Sequence, residues 1–124
     1  MRFELQGLDH VALSVLDQAA SAAWYQDVLG LERVYEEIWG EVPVMLVAHG
    51  TGVALFPARD LAGGASAIRI LHLAFRVDRA NFEAAQASLG EREIRFEFQD
   101  HQVAHSIYFK DPDGHQLELT TYDV

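Results

Sequence analysis

The sequence predicts an α+β fold, a single domain over residues 1–124 made of two βαβββ modules at about 7–56 and 69–122, joined through 57–68. Three observations predict it. The chain repeats itself, because Leu8-Asp9-His10-Val11-Ala12-Leu13-Ser14-Val15 overlays Ile70-Leu71-His72-Leu73-Ala74-Phe75-Arg76-Val77 with His, Ala and Val matching and the apolar positions in register. Each copy alternates apolar and polar residues, as a half-buried strand does, before passing into helical spacing. The end of each half repeats as well. His49-Gly50-Thr51-Gly52-Val53-Ala54-Leu55-Phe56 overlays Asp113-Gly114-His115-Gln116-Leu117-Glu118-Leu119-Thr120, a turn followed by a strand.

In chain order, residues 8–15 alternate and form the first strand. Asp17 then caps a helix over 18–29, whose apolar stripe is read as Ala20, Ala23, Trp24 and Val28, and Gly30 closes it in a left-handed turn. Strands follow at 31–38, 43–48 and 52–56. Pro57, Gly63 and Gly64 mark 57–68 as the connection. The second module repeats the plan with a strand at 70–77 and a helix at 79–89, capped by Asp78, striped by Phe82, Ala85 and Leu89 and ended by Gly90. Its last strands are expected at 92–98, 103–110 and 116–122.

Nine basic against nineteen acidic side chains give a formal net charge of −10, while half the residues are apolar, the balance of a globular chain with a core. Such a surface repels phosphate backbones and anionic leaflets, and no basic patch offsets it, so nucleic-acid and membrane partners are not expected and a small-molecule substrate is. The absence of cysteine removes disulfide scaffolds, thiolate metal sites and cysteine nucleophiles. Met1–Gly7 lacks the basic and apolar regions of a signal peptide and no apolar stretch is long enough to span a bilayer, so a cytoplasmic location is expected.

Strand alternation sends Val11, Leu13 and Val15 toward the first helix and His10, Ala12 and Ser14 to the opposite face. The second copy sends Leu73, Phe75 and Val77 inward and His72, Ala74 and Arg76 outward, and in the last strand Gln116, Glu118 and Thr120 oppose Leu117 and Leu119. His10, His72 and Glu118 are therefore the candidate metal ligands. Two imidazoles and one carboxylate suit a divalent metal with open positions; Fe(II) or Mn(II) is favoured, Zn(II) or Ni(II) is compatible, and no other cofactor is expected. Taken singly, each residue is better explained as a hydrogen-bonded core histidine or a solvated strand carboxylate, since structural histidines are commoner than ligands. Recurrence of the histidine at one repeat position favours the metal.

At these residues, and in Trp24-Tyr25-Gln26-Asp27-Val28-Leu29-Gly30-Leu31 and Tyr108-Phe109-Lys110-Asp111-Pro112-Asp113-Gly114, the chain resembles the vicinal oxygen chelate superfamily of glyoxalases, fosfomycin- and bleomycin-resistance proteins and extradiol dioxygenases. The resemblance implies paired modules curled into a cup-shaped mixed sheet around one metal, with His10, His72 and Glu118 as ligands. Together with the many strand edges it implies a homodimer. Glyoxalase-like members carry a glutamate where the repeat overlay puts Ala54, which argues against an isomerase. Fosfomycin-resistance thiol transferases share the triad but use cations around an oxyanion, for which only Arg76 and Arg95 are at hand. The extradiol dioxygenase motif is matched in spacing by His101, Tyr108, Asp111-Pro112-Asp113-Gly114 and Glu118, which implies a dioxygenase-like metalloenzyme acting on a catechol or other vicinal-oxygen substrate, with His101 and Tyr108 as catalytic residues. A lyase, a thiol transferase and a non-catalytic resistance module are the alternatives. Trp39, Met45, Phe56, Phe96 and Phe98 are candidate pocket walls of undetermined facing, and His49, His105 and His115 are assigned to turns or to positions off the pocket face.

Overall fold

In the computed structural model, residues 8, 10–58 and 72–124 are described. The expected strand residues Asp9, Ile70 and Leu71, and all of the connection beyond Ala58, lie outside them. The chain divides into two compact units, Met1–Gly63 and Gly64–Val124, with the boundary inside the expected connection.

The first unit runs β1 (His10–Val15), α1 (Gln18–Leu29), β2 (Glu32–Val34), α2 (Glu36–Trp39), β3 (Val44–Ala48) and β4 (Thr51–Pro57). Its sheet has the order β1-β4-β3-β2, with β1 parallel to β4 and the other pairs antiparallel. The Asp17 carboxylate accepts the Ala20 amide at 3.0 Å and Gly30 closes α1 in the left-handed region at φ 67°, as expected. The stripe differs, since α1 buries Ser21, Ala22 and Tyr25 and leaves Ala20 and Ala23 exposed. Tyr25 buries its whole ring, a gain of about 1.5–3 kcal/mol that a small alanine cannot match. The strand expected at 31–38 is also cut short. β2 ends at Val34, Tyr35 takes a left-handed backbone at φ 65°, and α2 begins. The β3–β4 hairpin turns through His49 (φ 51°) and Gly50 (φ 82°), both positive as a type I′ turn requires. A Cβ on Gly52 would run into the Leu46 carbonyl, so only glycine fits there.

The second unit contains β5 (Leu73–Arg76), α3 (Arg79–Glu91), β6 (Glu97–Asp100), β7 (His105–Lys110) and β8 (Gln116–Thr121). Its sheet has the order β5-β8-β7-β6, again with one parallel pair, β5 with β8. Asp78 caps α3 through the Asn81 amide at 2.9 Å, and Phe82 and Leu89 are buried while Ala85 is half-buried. Gly90 does not end the helix. α3 continues to Glu91, and the left-handed residue after it is Glu93 at φ 58°. The strand expected at 92–98 forms at Glu97–Asp100 instead, because its register is set by pairing with β7, Phe98 opposite Ile107 and Asp100 opposite His105.

Each unit is thus a mixed four-stranded sheet with helices, and the chain is α+β as predicted. The helix-facing residues Leu13, Val15, Leu46, Val53 and Leu55 of the first unit, and Ile107, Phe109, Leu117 and Leu119 of the second, form the cores. Among the described residues no helix is long and apolar enough to cross a membrane.

Candidate functional site

The Asp111-Pro112-Asp113-Gly114 turn builds the site in the second unit. Asp111 is buried, and its Oδ1 accepts the amides of Asp113 at 2.9 Å and His115 at 2.8 Å. Gly114 at φ 88° returns the chain, and its amide reaches the Asp111 carbonyl at 3.1 Å. The turn fixes the β7–β8 register, which sets Tyr108 opposite Glu118 and Ser106 opposite Thr120, while β5 pairs Ala74 with Glu118. Alternation then gathers the polar residues of three strands on the face away from α3.

On that face His72 Nε2 lies 3.1 Å from Glu118 Oε1, with the imidazole 41% exposed and the carboxylate 10%. Ser106 is fully buried and donates its hydroxyl proton to the other carboxylate oxygen, Oε2, at 2.7 Å. Thr120 Oγ1 lies 3.1 Å from the same serine oxygen, and the threonine hydroxyl is 3.5 Å from the His105 carbonyl, to which it donates. Tyr108 stands with its ring edge-on to His72, centroids 6.0 Å apart, and its hydroxyl is 3.0 Å from His101 Nε2. Burial, followed by the charge of Glu118, raises the Tyr108 phenol above its ordinary value, so it stays protonated throughout the neutral range. The structure therefore brings together four of the five expected site residues: His72, Glu118, Tyr108 and His101.

The fifth, His10, lies in the first unit at the start of β1, opposite Gly52 on β4. It lines a pocket of about 310 Å³ on the face away from α1, with Tyr35, Trp39, Met45, Ala54 and Phe56. Of the candidate walls, Trp39, Met45 and Phe56 line this pocket, whereas Phe98 turns to the α3 side, its ring 6.3 Å from Phe82 and 5.3 Å from His105. His105 shares that side, 3.0 Å from an Arg79 guanidinium nitrogen, so its assignment off the site face is correct. Of the two arginines offered as oxyanion partners, Arg76 stacks over the Tyr122 ring at 4.6 Å and Arg95 is exposed outside the strands.

A metal can be weighed against these donors. With metal–nitrogen and metal–oxygen bonds of roughly 2.1 Å, two adjacent ligand atoms stand roughly 3.0–3.4 Å apart. The 3.1 Å separation of His72 Nε2 and Glu118 Oε1 fits that spacing, and Ser106 holds the carboxylate as an outer partner does in metal sites. Within either unit, among the described residues, no three His, Asp or Glu side chains converge, so one unit supplies two donors. Ser106, which holds Glu118, and Tyr35, on the pocket rim, are not singled out by the sequence. Alternation puts Ser106 on the same face as Tyr108 and only the strand register brings it to Glu118, while nothing in residue order marks Tyr35 for a left-handed backbone, which costs a non-glycine residue roughly 1–3 kcal/mol.

Metallothiol transferase FosB of Staphylococcus epidermidis is 32% identical over 120 residues, 94% of this chain and 84% of that protein. The FosB of Staphylococcus haemolyticus is 31% identical over the same shares. A glyoxalase/dioxygenase crystal structure from Nostoc punctiforme superposes with a TM-score of 0.77 at 26% identity, covering 94% of this chain and 90% of that one. Residues 7–119 match the family model, and the chain belongs to the Glyoxalase/Bleomycin resistance protein/Dioxygenase superfamily, the vicinal oxygen chelate proteins.

Proposed function

We propose that the protein is a divalent-metal thiol transferase that adds a small thiol to an electrophilic carbon bearing oxygen, such as an epoxide, with His10, His72 and Glu118 as the metal ligands. The observation that carries this reading is the likeness, over 94% of the chain, to proteins named metallothiol transferases. It takes the place of the dioxygenase expected from the His101–Tyr108–Glu118 spacing, because the tyrosine-to-glutamate half of that motif is common to the superfamily and His101 alone singled out dioxygen chemistry.

A divalent ion on these donors supplies Lewis-acid polarisation of the substrate oxygen. The chain's own residues do the rest. The thiolate sulfur forms the new bond to carbon, the carbon–oxygen bond breaks with its electron pair on oxygen, and that oxygen takes a proton. Tyr108 is the donor of that proton, because it stands opposite Glu118 on the site face with its hydroxyl linked to His101. His101 orients the phenol through its 3.0 Å contact and returns the proton from solvent, to which it is exposed. Ser106 holds Glu118 in place throughout.

The test is thiol consumption in the presence of a small epoxide, with glutathione or cysteine as the thiol and Mn(II), Fe(II) or Zn(II) added to metal-free protein. The chain has no cysteine, so a thiol reagent reads the substrate alone. Metal-dependent loss of thiol with formation of a one-to-one adduct is expected. Oxygen uptake with catechols in the absence of any thiol loss would return the dioxygenase reading.

A further inference from the structure

We infer that the pocket of the first unit selects an uncharged ring, so that the substrate is an aryl- or cycloalkyl-bearing electrophile rather than a compact phosphonate. For the electrophilic carbon the inference rests on the thiol-transfer reading; for the ring it rests on the pocket alone.

Among the described residues, no carboxylate, lysine or arginine lines the pocket. Its walls are Trp39, Tyr35 and Phe56 above a floor of Met45 and Ala54, with the His10 imidazole at one side. Met45 and Ala54 are buried, whereas Trp39 is 45% exposed, Tyr35 51% and Phe56 39%. Three aromatic side chains therefore keep much of their apolar surface in water around one concavity, an arrangement that favours a ligand able to cover them. The rim is held in place. Tyr35 and Trp39 rings pack at 4.8 Å between centroids, and Arg33 ties their segment down through the Gly40 carbonyl at 3.1 Å and the Glu36 carboxylate at 3.5 Å. With both aromatics ordered in advance, little side-chain entropy is lost on binding.

Size and charge narrow the occupant. An enclosed apolar cavity of about 150 Å³ accepts benzene. A pocket of about 310 Å³ therefore takes a six-membered ring with a short substituent. A phosphonate dianion placed here would give up its hydration with no cationic side chain among the described lining residues to replace it, on a chain whose net charge is −10. A neutral ring gains stacking against Trp39 and Tyr35.

The experiment follows amide and indole resonances of metal-free, isotope-labelled protein titrated with 1-phenylethane-1,2-diol, propylphosphonate and tetramethylammonium. Saturable shifts from the diol at the Trp39 indole and the Gly50 and Ala54 amides are expected, with both ions binding at least tenfold more weakly. Trp39→Ala and Phe56→Ala, both at partly exposed positions, should each weaken the diol at least fivefold with the remaining spectrum dispersed. Equal or tighter binding of either ion, diol shifts elsewhere in the chain, or diol affinity unchanged in both variants overturns the inference. Ring binding at this pocket without thiol transfer leaves it standing and removes the thiol-transfer reading; thiol transfer onto a phosphonate epoxide with no ring binding does the reverse.

Discussion

Replacing Ser106 with alanine isolates how the fold holds Glu118. The serine is fully buried, and its 2.7 Å hydrogen bond is directed at a carboxylate oxygen that is itself nearly out of solvent. A hydrogen bond to a charged partner contributes about 1.5–3 kcal/mol, and the vacated space is only a hydroxyl, so Ser106→Ala should lower the stability of the metal-free protein by about that amount. Metal binding should suffer too. With Oε2 unheld, Glu118 rotates among rotamers, and the loss of such an orienting partner typically costs 10–100-fold in metal affinity. Urea unfolding of the metal-free protein measures the first effect and calorimetric titration with Mn(II) or Zn(II) the second. Thr120→Ala is the control, since it removes the 3.1 Å contact behind the serine and the 3.5 Å contact to the His105 carbonyl, neither of which reaches Glu118, and should weaken metal binding less than threefold. Wild-type metal affinity in Ser106→Ala, with Glu118→Ala strongly weakened, would mean that the backbone alone orients the carboxylate and would refute the reasoning.

Other consequences can be checked as directly. His10→Ala, His72→Ala and Glu118→Ala should each lose stoichiometric metal by elemental analysis while retaining the far-ultraviolet circular dichroism of the parent; three metal-replete variants would discard the ligand set. Tyr108→Phe should reduce the turnover of the thiol reaction by about 100-fold or more, the usual scale of a lost general acid, with little change in metal content. Because the Tyr108 phenol is raised first by burial and second by the Glu118 charge, the tyrosine absorbance change that Tyr108→Phe removes should titrate above the ordinary tyrosine value in metal-free protein, and Glu118→Gln should bring it down part of the way. A raised folded-state value also means that its contribution to stability is complete below the unfolded tyrosine pKa of about 10 and is lost as pH climbs above it. Gly52→Ala should destabilise the fold by about 1–3 kcal/mol or prevent folding, since the new methyl group meets the Leu46 carbonyl; an unchanged urea midpoint would contradict the packing.

Much of this protein could be read from residue order because the relevant forces are local or periodic. The repeat of His10-Val11-Ala12 in His72-Leu73-Ala74, the Asp17 and Asp78 caps and the two-residue alternation of the strands are each written within a few positions of chain, and they place His72, Tyr108 and Glu118 on one face correctly. Other features depended on partners distant in sequence. Apolar spacing along α1 points to Ala20 and Ala23, whereas the packed sheet buries Ser21 and Tyr25. β6 took its position from pairing with β7 rather than from its own alternation. The contact between His101 and Tyr108 arises because a loop end and a strand residue meet across a hairpin, while Ser106 became visible as a support only once the register set it against Glu118. The sequence by itself determined which residues alternate, cap and turn, and so the fold class and the polar face. Tertiary structure decided which polar groups share a proton and which aromatics stand round a pocket, because those outcomes depend on strand register and on the left-handed break at Tyr35, where packing prevails over local preference.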